Sequence, residues 1–140
     1  MKVLAIIPAA GAGVRVGGES PKQFLDLEGT PVFIHTLRKF VISDVIGEIF
    51  LGVREEDRKR VESELSKENP KKDIRIILGG HSRQETVSNA LAQAPMDTEV
   101  VVVHDAVRPF VTPETIRKVV DAAQHEGAAI VAIPSIDTVK

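Results

Sequence analysis

The feature that most constrains this chain is a recurrence of short, continuous apolar runs, each followed by a stretch of helical periodicity. The first run is VLAIIP (3–8), and later runs fall at 46–53, 74–78, 99–104 and 128–134. Unbroken apolar runs suit strands buried on both faces, whereas a half-exposed strand would alternate. Between them, Ile34, Leu37 and Val41 recur at helical spacing. Thr30 and Pro31 before them predict an N-cap and a first-turn proline for a helix over 31–42. Residues 55–68 predict an exposed helix with a thin apolar face at Val61 and Leu65. Ser82 and Glu85 give a capping-box pattern ahead of Val87, Ala90 and Leu91, and Pro95 follows as a stop. Thr112, Pro113 and Glu114 predict the start of a last helix, with Gly127 beyond its end. Strands alternating with helices point to an α/β fold whose mainly parallel sheet is covered by helices on both faces.

Composition narrows the function classes. The 140 residues, read as a single domain, carry 18 Lys and Arg against 20 Asp and Glu, a net charge of −2. That balance excludes nucleic-acid binding through bulk charge. The absence of Trp and Tyr disfavours base-stacking platforms for single strands. With no Cys, disulfides, zinc thiolate sites and thiol nucleophiles are excluded, and a reducing cytoplasmic location is compatible. No apolar stretch approaches the ~20 residues of a membrane-spanning helix, and the N-terminus lacks the form of a signal peptide. The sheet edge after 128–134 would normally be covered, so the chain is expected to continue past Lys140.

Ligands of open α/β sheets bind at the carboxyl ends of the strands. Three loops there carry chemistry: 8–23, 79–86 and 104–109. The first has small residues at 9–13, which let backbone N–H groups approach an anion, and adds two cations, Arg15 and Lys22. These match a polyphosphate. The loop is not a P-loop, because Glu19 follows Gly18 where a lysine is needed. Nor is it a dinucleotide fingerprint: Gly11, Gly13 and Gly17 are spaced one residue too far, and the first acids after the second strand, Glu55 and Glu56, lie about forty residues on rather than ~20.

The third loop puts Asp105 at the end of the valine run. That carboxylate is either paired with Arg108 or a ligand for Mg²⁺ shared with phosphates. His104 beside it is expected to pack or hydrogen-bond, and His35 and His125 to lie on the surface. In the second loop Gly79 and Gly80 permit close approach to a flat base, and Ser82, Arg83 and Thr86 open a capped helix.

Taken together, the stretches PAAGAGVR with PKQF, GGHSRQETV and VHDAVRPF, in that order, resemble the 2-C-methyl-D-erythritol 4-phosphate cytidylyltransferase family, and IDTVK at 136–140 resembles its next motif. The resemblance implies a Rossmann-like nucleotide-diphospho-sugar transferase fold. It also implies CTP and 2-C-methyl-D-erythritol 4-phosphate as substrates, Mg²⁺ as cofactor, and a homodimer for the full-length enzyme, with no nucleic acid or membrane partner. It assigns the triphosphate to Ala9, Ala10, Gly11, Gly13 and Arg15. Lys22 is assigned to the phosphates and transition state, and Gly79, Gly80, His81, Arg83 and Thr86 to cytosine. Asp105 is assigned to the metal, and Arg108 and Thr138 are further active-site candidates, Thr138 facing the acceptor.

Three positions depart from the family pattern: His81 stands where it often has Asp, Thr86 where it often has Ser, and Val107 where it has Ala. Family chains also continue past this length and complete the acceptor pocket, so this stretch alone is expected to bind CTP and Mg²⁺ without turning over. The alternatives are a cytidylyltransferase for another polyol phosphate, such as ribitol 5-phosphate, and a nucleotide-binding module without turnover.

Overall fold

In the computed structural model, which describes residues 2–11 and 21–134, the first apolar run is strand β1 (Val3–Pro8) at the centre of the sheet. Val3 to Ile7 are each at most 1% exposed, which requires cover on both faces. The other parallel strands are β4 (Glu48–Val53), β5 (Ile74–Leu78) and β6 (Val100–Val103), in the order β5-β4-β1-β6. Alternation along β1 divides the core. Val3, Ala5 and Ile7 join Phe33, Leu37 and Phe40 of α1 (Val32–Val41), Val61 of α2 (Arg58–Glu68), and Ile116 and Val120 of α4 (Pro113–Glu126). Leu4 and Ile6 turn the other way, to Phe50, Ile77 and Ala90, the last on α3 (Arg83–Ala92).

The chain runs outward from β1 through β4 to β5, then returns to β6 on the opposite side of β1. A fixed crossover hand then carries the returning helix, α3, to the other face. The strand order therefore reverses between β1 and β6, and the crevice outside their carboxyl ends is the place where such sheets bind ligands.

Helix starts follow the expected chemistry at two places. The hydroxyl of Ser82 accepts from Glu85 N–H at 3.0 Å, and that of Thr112 accepts from Thr115 N–H at 3.1 Å, with Pro113 as the first helical residue. Gly127 ends α4 with a positive φ of 89°. The start of α1 differs. Thr30 and Pro31 form a short strand, β3 (Thr30–Pro31), paired antiparallel with β2 (Asp26–Leu27), and α1 begins at Val32 without a side-chain cap. The intervening Glu28 and Gly29 both have positive φ, 54° and 83°, as a tight two-residue hairpin demands, so Thr30 is committed to pairing.

Residues 55–57 are a 3-10 turn ahead of α2. His35 is half-buried, with Nε2 2.7 Å from the Leu27 carbonyl, rather than a free surface residue. The run 128–134 is not a strand. Ile130 and Ile133 are 88% and 86% exposed, and an apolar hollow of about 780 Å³ is lined by Val131 on one side and by β6 and α4 on the other. Neither ladder hydrogen bonds nor a covering layer stabilise an extended strand there. No helix among the described residues is long and apolar enough to cross a membrane.

Candidate functional site

The carboxyl ends of β1, β4, β5 and β6 open on one cleft of about 760 Å³, a volume within the usual range for a small-molecule site. Where β1 ends, Ala9 N–H donates to the Gly52 carbonyl at 2.7 Å, tying the first loop to β4. After residues 12–20 the chain returns as a 3-10 turn (Lys22–Phe24). Phe24 is buried against Phe33, ring centroids 5.5 Å apart, with the Arg60 guanidinium 4.1 Å from its ring centre. Lys22, one residue from Gln23 and two from Phe24, is exposed and lines the cleft. It has no ion-pair partner among the described residues.

The second loop meets the first through a position where only glycine fits. Gly79 N–H donates to the Val53 carbonyl at 2.7 Å, and a Cβ on Gly79 would lie 2.4 Å from the Ala10 Cβ. A methyl group there must push the two loops apart. Thr86 is 1% exposed; its hydroxyl accepts from Gly80 N–H and donates to the Ser82 carbonyl, both at 3.0 Å. The Thr86 side chain thus holds the shape of the glycine turn. His81 stands exposed on that turn and also lines the cleft.

The third loop is held from below. Ala106 N–H donates to the Pro8 carbonyl at 3.3 Å, and the buried Thr36 hydroxyl of α1 donates to the Ala106 carbonyl at 2.7 Å. His104 hydrogen-bonds and packs as expected, with Nε2 2.8 Å from the Arg108 carbonyl and its ring 5.2 Å from Phe40. Asp105 accepts from Arg83 Nε at 2.7 Å and from Arg108 Nε at 3.3 Å, one guanidinium on each oxygen. Partial burial pushes the Asp105 carboxyl up, but the hydrogen bonds and charges of Arg83 and Arg108 outweigh it and hold the group below the ordinary carboxylate range.

Of the residues singled out in the sequence, Ala9, Ala10, Gly11, Lys22, Gly79, Gly80, His81, Arg83, Thr86 and Asp105 border this single cleft. Arg108 reaches it through Asp105 and lines the neighbouring hollow. Gly13, Arg15 and Thr138 lie outside the described residues. Sequence reasoning missed two supports. Gln23 is buried behind the first loop, and its place in PKQF was the available signal. Thr36 is a polar residue on an otherwise apolar helix face, a pattern that could have marked it.

No group of three or more His, Asp or Glu among the described residues could hold a metal by itself. Asp105 offers one carboxylate in a cleft with room for phosphate. That donor set fits Mg²⁺, which commonly takes one or two carboxylates and fills its shell with phosphate oxygens and water. Both oxygens already accept from guanidinium groups, so a cation there must share or displace Arg83 and Arg108.

The model of the family 2-C-methyl-D-erythritol 4-phosphate cytidylyltransferase matches residues 3–140. Curated proteins of that name from Solibacter usitatus and Acidobacterium capsulatum are 48% and 42% identical to it over all of this chain, covering 60% and 61% of their own length. The chain thus spans about three-fifths of these relatives. Among solved structures, the 4-diphosphocytidyl-2C-methyl-D-erythritol synthase of Anaerococcus prevotii superposes with a TM-score of 0.76 at 29% identity, over 88% of this chain and 51% of that one. The expected nucleotide-diphospho-sugar transferase fold is therefore present.

Proposed function

The chain belongs to the 2-C-methyl-D-erythritol 4-phosphate cytidylyltransferase family, and from that premise we propose that it serves the transfer of a cytidylyl group from CTP to 2-C-methyl-D-erythritol 4-phosphate, in isoprenoid precursor synthesis. The observation that carries this reading is the convergence of all three loops on one cleft with Lys22, Arg83 and Asp105 at its walls. In the reaction a phosphate oxygen of the acceptor attacks the α-phosphorus of CTP. The bond from that phosphorus to the β-phosphate oxygen breaks, and pyrophosphate leaves with the electron pair. Such a transfer asks the protein chiefly for positioning and charge stabilisation.

Backbone N–H groups of the first loop receive the triphosphate. Lys22, with no ion-pair partner among the described residues, neutralises charge that builds on the transferring phosphorus, joined on the family pattern by Arg15. The Gly79–Gly80 turn, kept open by the Thr86 hydroxyl, receives the flat pyrimidine beside His81. Asp105 would hold Mg²⁺, which when bound supplies charge neutralisation of the phosphates. With Asp105 so engaged, Arg83 and Arg108, which pair with it in the structure, would be free to turn toward the phosphates. The homodimer and the cytoplasmic location belong to the same reading.

Calorimetric titration with four nucleotides in the presence of Mg²⁺ tests the base assignment. CTP is expected to bind about tenfold or more tightly than ATP or GTP, a difference of about 1.4 kcal/mol, with UTP the nearest competitor. Equal affinity for ATP and CTP contradicts a cytidine site.

A further inference from the structure

We propose that Gln23 is a positioning residue for the phosphate loop, acting through the backbone of Ala9 and Gly11. The proposal rests on the reading of the cleft as a CTP site. Gln23 is 4% exposed, and its carboxamide nitrogen donates to the Ala9 carbonyl at 2.8 Å and the Gly11 carbonyl at 3.0 Å. The two N–H groups of one side chain thus bracket the loop at alternate residues.

The consequence follows from peptide geometry. A loop that receives an anion has to present N–H groups and keep carbonyl oxygens out of the way. The peptide unit is planar and trans, so its C=O and the following N–H point in opposite directions. With the Ala9 carbonyl turned toward Gln23, the Ala10 N–H in the same plane is turned away from it. The Ala9 N–H, which belongs to the preceding peptide unit, is separately held by the Gly52 carbonyl at 2.7 Å. The peptide units on both sides of the Ala9 Cα are thus anchored, and the Ala9–Ala10 unit is restrained from turning its carbonyl toward the anion. The same tether reaches Lys22. Gln23 lies between it and the buried Phe24 within one 3-10 turn, and the amide therefore sets the distance between the lysine and the loop backbone. A neutral donor suits this task. A lysine or arginine at position 23 would itself be drawn toward the phosphates, whereas a carboxamide stays on the carbonyls.

Gln23→Met removes both donors at similar volume. CTP affinity is expected to fall about tenfold or more, while cytidine affinity, followed by NMR titration, stays within about twofold, because the Gly79–Gly80 turn, though it packs on Ala10, has its own hydrogen bonds to the Val53 carbonyl and the Thr86 hydroxyl. An equal loss for both ligands, or a loss for neither, overturns the proposal. Tripolyphosphate separates it from the CTP reading. Wild type that binds tripolyphosphate but shows no preference for CTP overturns the cytidine reading alone; equal tripolyphosphate binding by wild type and Gln23→Met overturns the Gln23 role. Wild type that binds neither overturns both. Should the variant not fold, hydrogen exchange on the unmutated protein decides. The Gln23 side-chain amide protons are expected to exchange far more slowly than those of the exposed Gln84, and exchange as fast as Gln84 contradicts the tether.

Discussion

Lys22→Ala is expected to slow the proposed cytidylyl transfer by about 10²–10³-fold, the usual cost of removing one charge-stabilising group from a transition state. The fold should be nearly intact, since Lys22 is exposed, starts a short turn, and has no ion-pair partner among the described residues. Its neighbours do the structural work: Phe24 packs on Phe33 and Gln23 on the loop carbonyls. The drop should therefore appear in kcat more than in thermal stability, measured by pyrophosphate release and by melting. Near-normal kcat removes Lys22 from the mechanism. A loss of activity matched by a large loss of stability assigns it to the fold instead.

The second large effect is expected at Asp105. Asp105→Asn keeps the shape and removes the charge that attracts a cation, so activity should fall about tenfold or more at limiting Mg²⁺ and recover in part as Mg²⁺ rises. Coincident metal titrations of wild type and variant would reduce Asp105 to a partner of Arg83 and Arg108. The variant also has a pH signature. The two guanidinium groups hold the folded carboxyl below its ordinary value, so its stabilising contribution is fully present above about pH 4 and is lost as pH falls through the lower, folded value. Melting curves of wild type should decline toward acid more steeply than those of Asp105→Asn, and parallel curves contradict the pairing.

What the sequence disclosed and what it hid differ in a physical way. β1 was legible because full burial leaves an unbroken apolar run. The valine strand was legible because consecutive β-branched residues favour extended backbone, although Val100 to Val102 are only half-buried and Val103 is exposed. The caps at Ser82 and Thr112 were legible because capping is chemistry between residues three apart. The three loops were legible because glycines, cations and an acid at strand ends are costly to place there without purpose. The Arg83–Asp105 pair was hidden because it joins residues 22 apart in sequence, and only the sheet order brings them together. Thr86 suggested a hydroxyl for the ligand, whereas burial commits it to the turn. The β2–β3 hairpin was missed because a proline beside a threonine is equally good punctuation for a helix start. The apolar run 128–134 satisfied the strand pattern, yet a pattern does not supply the neighbouring edge and layer that a strand needs.

The most direct test of the account follows the α-phosphorus of CTP. The native gene product is incubated with Mg²⁺, CTP labelled at that atom and 2-C-methyl-D-erythritol 4-phosphate, and the labelled products are separated. The account predicts that the label moves to the acceptor as a cytidine diphosphate derivative, with one pyrophosphate released per transfer and none without acceptor. Label that stays in CTP, or that appears as free CMP irrespective of the acceptor, contradicts it.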